Sequence, residues 1–335
     1  MRSYIQLITV LFSLATNCLS IFLVLTHSPH KLGNYKFLMI YFSLISMLYA
    51  VLDFIVQPYM HSYGAAYVMI MDLRNSVFED YPIIGVLLVA LLCGCYSLTI
   101  YSIAINFVYR FFALQREGRL RFFHGKKLIF WIFIPILAGA GWVINNWIFL
   151  RPDSEKTEYL RSRVKEKYDF DIDKTSYTGG LYWRTDPYGN QYLSMKDMIG
   201  ALGLNQIFAI PLVTIIYFGR KSYGKIKELL KQGESEYSKK LQLQLHKALV
   251  AQTVIPMIFL FVPIGCFLTF PFFKIDIEWA SRLITFLYTV YPAIDPIPTI
   301  VFIDNYRMAI SNFIRRILGK PQISIVSHEM TADAH

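Results

Sequence analysis

Seven runs of about twenty mostly apolar residues restrict this chain more than any other feature: about 5–25, 37–56, 83–109, 128–150, 198–217, 250–270 and 283–303. A helix needs roughly 20 such residues to cross a hydrocarbon core of about 30 Å. In lipid the backbone must satisfy its own polar groups, so each run is expected to be a helix. The alternating ten-residue pattern of a membrane barrel is absent. The expected fold is an all-α integral membrane bundle of seven transmembrane helices in one domain over residues 1–320, with 321–335 a disordered tail.

Composition agrees. A chain of 335 residues could hold two or three soluble domains or one large membrane domain. Apolar residues make up 55% and charged residues 17%, against about 25% charge in soluble domains. Aromatics, at 16%, suit membrane interfaces. The net charge of +10 does not indicate nucleic acid, because the basic residues form short runs between apolar segments rather than one face of a domain. Cys18, Cys93, Cys95 and Cys266 all lie inside apolar runs, which indicates no disulfide framework. No CxxC or Cys/His cluster predicts a metal, no motif predicts a cofactor, and there is no N-x-[ST] sequon.

The first run could be a signal peptide, with Arg2 as its basic end and Ile5–Leu14 as its core. Its apolar character continues to Leu25 without an A-x-A site, which favours a retained helix. The loops after helices 1, 3 and 5, with the C-terminal tail, hold 20 lysines and arginines; the N-terminus and the loops after helices 2 and 6 hold 4. The bias predicts the N-terminus outside and the C-terminus in the cytoplasm. The loop 151–197 has 9 basic and 9 acidic residues and is too long to vote. It reads either as a lid over the outer mouth of the bundle or as a solvated connector. The loop 220–247 carries eight basic residues, and KKLQLQLHKALVAQT within it reads as helix 6 projecting inward; positive-inside bias alone would also explain those charges. After helix 7, NYRMAISNFIRRILGK places Met308, Ile310, Phe313, Ile314, Ile317 and Leu318 at helical spacing. This predicts a short amphipathic helix on the inner leaflet.

Ionisable residues inside a membrane are costly and functional by default. Three qualify. Asp53 lies 17 residues after Lys36, about 25 Å along a helix, near the outer end of helix 2. It can face a ligand cavity or touch interfacial water. Arg110, 27 residues after Ile83, is about 40 Å along helix 3 and reaches the inner interface. Asp295 is near mid-membrane in YPAIDPIPTIVFIDNYR (291–307). A bare carboxylate there would cost at least about 3 kcal/mol, so it must face the bundle with hydrogen-bond partners or a proton. Pro296 and Pro298 free carbonyls beside it, making a polar kink that can serve as a two-state element or stand as a static bend. Pro211, Pro256 and Pro263 add kinks to helices 5 and 6.

Seven helices, an inner-end arginine and a proline-kinked acidic helix 7 together resemble a G-protein-coupled receptor. VYRF (108–111) stands where rhodopsin-like receptors carry Asp-Arg-Tyr, DPIPT (295–299) where they carry Asn-Pro-x-x-Tyr, and Asn17 where their first-helix asparagine falls. A narrower resemblance covers nearly the whole chain. LGNYKFLMIYFSLISMLYAVLDFIVQPYMHS, FVYRFFAL, LQLHKALVAQTVIPMIFLFVP and YPAIDPIPTIVFIDNYR are similar to signatures of nematode serpentine chemoreceptors of the Str class, with its Srj group. Tyr109 replaces the acid beside the key arginine and Thr299 the tyrosine of the helix 7 motif. Gly85 stands where a cysteine bonded to the second outer loop would be, so any lid is held without that disulfide.

The resemblance implies an odorant-type receptor in the plasma membrane of a sensory cilium, binding a small molecule in the outer half of the bundle and activating a heterotrimeric G protein. Candidate ligand contacts are Asp53, Gln57, Cys95, Tyr96, Asn205, Gln206, Tyr288 and Tyr291. The switch would be Asp295, Pro296, Pro298 and Pro263. Tyr109, Arg110, Lys225, Lys239, Lys240 and Arg307 would meet the G protein. The rival class is a ligand-gated channel or transporter, which would show repeated halves and several charges along a path; the halves do not match. No H-E-x-x-H, G-x-S-x-G or P-loop indicates an enzyme.

Overall fold

The computed structural model describes residues 2–29, 32–74, 76–115, 119–123, 125–231 and 236–321. The expected disordered tail lies outside them, Pro321 excepted. Among the described residues, six helical stretches are long and apolar enough to cross a membrane. Helices α1 (Arg2–His27), α2 (Tyr35–Val56) and α3 (Pro82–Leu114) are the first three. Helix α4 (Lys126–Asn145) runs on into a π turn, Asn146–Leu150. A shorter polar helix, α5 (Ser154–Tyr168), precedes the fifth crossing, α6 (Met195–Lys231). The sixth is α7 (Glu236–Pro256), a π turn Met257–Phe261 and α8 (Val262–Thr269). The seventh is made of two pieces, α9 (Ser281–Ile294) and α10 (Ile297–Phe302), broken at Asp295–Pro296. A final helix, α11 (Asp304–Ile317), carries the expected amphipathic segment. The basic segment between the fifth and sixth crossings is largely helical, since α6 continues to Lys231 and α7 begins at Glu236.

Helix α3 forms the axis, its side chains buried along most of its length. It approaches α4 closely at Gly94, where an added Cβ would stand 3.1 Å from the Gly139 carbonyl oxygen. Small residues permit such contact where lipid supplies no hydrophobic drive between helices.

Of the two readings left open for 151–197, the structure shows the lid. Strands β1 (Tyr59–Tyr63) and β2 (Ala66–Asp72) form a hairpin after α2, turning at Gly64 with φ +54°. Strand β3 (Thr175–Leu181) adds antiparallel to β2, with Val68 opposite Gly179. A Cβ at Gly179 would collide with the Tyr67 carbonyl, so this pairing needs glycine. Strands β4 (Trp183–Thr185) and β5 (Gln191–Leu193) make a second small hairpin. Helix α5 buries Leu160 and Val164 against Val68, Ile70 and Phe170. The lid therefore has its own apolar core, and the helical bundle carries a β-sheet cap.

The lid meets α3 at Gly85. A side chain there would strike Ser176 of β3, whose hydroxyl donates to the Pro82 carbonyl at 2.7 Å. Direct packing and one hydrogen bond occupy the place expected of a disulfide, and all four cysteines are free. Ionic pairing completes the anchorage. Lys156 and Asp197 are 1% and 0% exposed, 2.9 Å apart. The Lys156 ammonium also donates to the Arg151 and Gly179 carbonyls at 3.0 and 3.2 Å. Arg184 bridges Asp153, Glu155 and Asp197 at 2.9, 2.5 and 2.7 Å. These pairs tie α5 and β4 to the first turn of α6.

Candidate functional site

Beneath the lid, Met60, Tyr67, Met69, Tyr96, Trp142 and Tyr288 surround a cavity of about 40 Å³, with Thr178 and Gly179 of β3 forming part of its roof. That volume holds little more than a water molecule, so this conformation is closed. The lining is almost wholly apolar, but the Tyr288 hydroxyl and the Trp142 indole N–H are buried without hydrogen-bond partners. An unmade hydrogen bond costs about 1–3 kcal/mol, so a molecule accepting from these groups would be favoured there. Two methionines in the wall are flexible enough to make room.

A stack of tyrosines leads inward. Tyr96 packs edge-on against Tyr288 at 4.7 Å and against Tyr49 at 5.4 Å. Tyr49 donates its hydroxyl to the Tyr288 carbonyl at 3.1 Å. That carbonyl is four residues before Pro292, which has no N–H to return to it. The same logic repeats one turn on. Pro296 leaves the Pro292 carbonyl free, and the Asn17 side-chain amide donates to it at 3.0 Å; Thr16 donates to the Ala293 carbonyl at 3.2 Å. Asp295, fully buried, accepts from the Ser46 hydroxyl at 2.7 Å and from the Tyr291 hydroxyl at 2.9 Å. The Asp295 carboxyl group thus faces protein, and side chains of α1 and α2 bond the groups exposed by the break.

At the far face, Arg110 is buried and donates to the Gln242 side-chain oxygen of α7 at 2.6 Å. Its guanidinium lies 5.6 Å from the Tyr35 ring centre. Tyr109 stacks on Tyr35 at 5.2 Å and meets Phe123 edge-on at 4.9 Å, a packing residue in this conformation. Nearby, Asp304 at the start of α11 pairs with Lys240 at 2.8 Å and accepts from Gln244 at 2.7 Å, while its own N–H donates back to the Gln244 oxygen at 3.2 Å. Burial alone would raise the Asp304 carboxyl, but bonds from Lys240 and Gln244 outweigh it and hold it below the usual range.

The lid carries its own charge cluster at the seventh helix. Glu278 receives Arg163 in a two-pronged bond, at 2.6 and 3.1 Å, and Lys167 at 3.1 Å. Burial pushes its carboxyl up, yet these donors outweigh the effect and leave it lowered. His61, 3.8 Å from Glu278, is fully buried; desolvation pushes its imidazole down to about 4.

Of the expected ligand contacts, Tyr96 and Tyr288 line the chamber. Cys95 is buried but its neighbour Cys93 does the lining. Asp53 is buried in α2 close to Tyr49, and Tyr291 serves the Asp295 network instead. Gln57 ends α2 in a left-handed conformation with φ 47°. Asn205 and Gln206 do not reach the chamber: both are exposed on the outer flank of α6, with Leu204 turned inward. Among the switch residues, Pro296 breaks the seventh helix, Pro298 sits in the first turn after the break, and Pro263 follows the π turn of the sixth crossing. Lys225, Lys239 and Arg307 are held by Glu228, Glu236 and Asp304 on their own helices, and Lys240 reaches across to Asp304. Sequence reasoning missed Gln242, Gln244 and Asp304, and the lid residues that roof the chamber.

Comparison with known proteins places this geometry. The family model described as "Serpentine type 7TM GPCR chemoreceptor Str" matches residues 2–311. The "G-protein coupled receptor str-33" of Caenorhabditis elegans is 27% identical over 324 residues, covering 96% of this chain and 93% of that one. The "Serpentine receptor class r-10" of the same species is 30% identical over 303 residues, 89% of this chain and 87% of that one. The "G-protein coupled receptor str-217", also from C. elegans, is 30% identical over 305 residues, 90% and 86% of the two chains.

Proposed function

The chain belongs to the Str family of serpentine seven-transmembrane chemoreceptors, and from that premise we propose that it binds a small, neutral, largely apolar molecule in the chamber beneath the lid and activates a heterotrimeric G protein at the opposite face. The observation that carries this reading is the continuous tyrosine stack from the chamber wall, Tyr96 and Tyr288, through Tyr49 to Tyr291 and Asp295 at the break in the seventh helix. No formal charge lines the chamber, which favours an uncharged ligand with hydrogen-bond-accepting groups for Tyr288 and Trp142. With the N-terminus outside, the lid faces the external medium and the receptor sits in the plasma membrane of a sensory cilium.

Because the chamber is nearly filled here, ligand and closed conformation exclude each other. The ligand shifts the equilibrium by its preference for the opened state. Opening moves Tyr288, and with it the carbonyl bonded to Tyr49 and the turn that holds Tyr291 against Asp295. At the inner face the bonds between Arg110 and Gln242 and between Asp304 and α7 would part, freeing Arg110 and the basic ends of α6 and α7 for the G protein.

The test is a G-protein activation assay in cells expressing the chain, run against a panel of small volatile and water-soluble molecules. Arg110→Ala at matched surface expression should abolish a ligand-dependent signal. A signal that survives the substitution, or an ion current that persists without G protein, would overturn the reading.

A further inference from the structure

The lid side also holds an opening larger than the chamber. A cleft of about 600 Å³ lies between the start of α1 and the start of α9, beneath β1 and α5. It is within the range of about 300–1,000 Å³ common to small-molecule sites. Its flank toward lipid is apolar: Ile5 and Phe286 line it and are 44% and 52% exposed. Its upper rim is cationic. Lys167 sits there bonded to Glu278, whose charge Arg163 already shares. Arg282 is exposed at the same rim and forms no ion pair among the described residues.

The same cleft is lined by polar groups with nothing to bond. The Gln6 side chain is 3% exposed and lines the cleft, yet neither its amide nitrogen nor its oxygen has a hydrogen-bond partner. The Ser281 hydroxyl, fully buried at the N-terminal end of α9, is likewise unpartnered. A buried amide left in this condition is costly. The lining matches an amphiphile: cations at one rim, two neutral polar groups near the starts of α1 and α9, and exposed apolar residues on one flank. The positive end of the α9 dipole adds to the attraction for an anion.

We propose that this cleft binds a single-chain anionic amphiphile drawn from the lipid phase, its headgroup between Arg282 and Lys167 with Gln6 and Ser281 completing its hydrogen bonds, and its chain against Phe286 and Ile5. The site is separate from the chamber, and the inference does not depend on what the chamber binds. The two share one wall, however. Met60 lines both cavities, and its backbone N–H donates to the Thr285 hydroxyl of α9 at 3.1 Å. An occupant of the cleft therefore touches a residue that also closes the chamber.

The test uses the full chain in phosphatidylcholine nanodiscs with a diazirine-bearing long-chain fatty acid as probe. Crosslinks are expected on the segments around Ile5 and around Phe286, competed by palmitate or by lysophosphatidate, but not by acetate or by the uncharged alcohol of the same chain length. Palmitate acting alone would assign the headgroup as carboxylate; lysophosphatidate acting alone would assign it as phosphate. Arg282→Glu should reduce labelling about ten-fold. Gln6→Leu should reduce it several-fold at an equal or higher melting temperature, although it makes the cleft more apolar. Phe286→Trp, at an exposed position, gives a narrowing variant should Gln6→Leu fail to fold, and it too should reduce labelling. Equal competition by the alcohol, labelling spread around the bundle, labelling centred on Met69 or Trp142 in the chamber, or undiminished labelling of Arg282→Glu would each overturn the proposal.

Discussion

The two faces of the bundle are closed in opposite ways. On the lid side, a β-sheet with its own core is fastened by charges withdrawn from water, Lys156 and Asp197 above all. At the Arg110 face an apolar cluster that includes Tyr35, Leu241, Leu245, Ile303 and Tyr306 packs the helices together. The polar links to α7 there are few: the buried Arg110 to Gln242, and Asp304 to Gln244 and Lys240, the last an exposed lysine. Buried pairs are strongly destabilising to break because the remaining partner is stranded, whereas partly exposed pairs contribute little and exchange readily for water. The Lys156–Asp197 tie is therefore costly to break, while the Asp304 pairs at the opposite face exchange for water at small cost.

The contrast would break first at Asp197. Replacing it with alanine strands the Lys156 ammonium and should cost about 3–5 kcal/mol, with the receptor largely lost from the surface as measured by epitope labelling. The apolar pair Lys156→Met with Asp197→Leu should recover part of that loss. A stable Asp197→Ala receptor would mean that the ion pairs do not fasten the lid. Asp295 comes next. Its alanine variant leaves the Tyr291 and Ser46 hydroxyls unpaired, at about 1–3 kcal/mol. The expectation is a roughly ten-fold shift in ligand potency with surface levels nearly kept, and Asp295→Asn closer to the parent. Loss of the protein instead would make the kink a matter of folding.

His61 sharpens the comparison through pH. Its folded value of about 4 lies below the ordinary 6.5, so its contribution to stability is complete above about 6.5 and is lost as pH falls toward 4. At pH 5.5 the loss relative to neutrality is about 1 kcal/mol, visible as a melting temperature lower by about 2 °C, and His61→Gln should flatten the profile. The Glu278 carboxyl is lowered from its ordinary 4.5, so its contribution begins to fall only as pH drops through about 4.5, below the pH at which the His61 effect is read. The smallest effect belongs to the opposite face. Asp304→Asn removes partly exposed pairs worth a few tenths to about 1 kcal/mol, which should raise basal G-protein signalling about two- to five-fold. Unchanged basal activity would show that this contact does not restrain α7.

Much of the bundle was legible because lipid imposes so simple a rule on length and polarity. Each apolar run lies on a helical stretch, six of them long and apolar enough to cross a membrane, and the prolines around Asp295 coincide with the break in the seventh. The same rule says nothing about rotation. A helix apolar on all sides does not reveal which flank is inward, so Asn205 and Gln206 were misplaced onto the chamber while Leu204, one residue earlier, lines it. Cys95 yielded to Cys93 for the same reason. The lid strands had a readable signal: YMHSY and AYVMIMD, separated by Gly64 and Ala65, form a hairpin pattern of aromatic and branched residues around a glycine turn. The shared polar bonds at the Arg110 face had none. Gln242, Gln244 and Asp304 are ordinary residues on a polar stretch until folding sets them beside Arg110 and one another.

The contact of Ser176 with Gly85 has a consequence for how such a receptor is made. A lid joined by packing and ion pairs requires no oxidation to close and no isomerase to correct its pairing. Its anchorage can form at any stage of maturation, and a reducing environment leaves it intact.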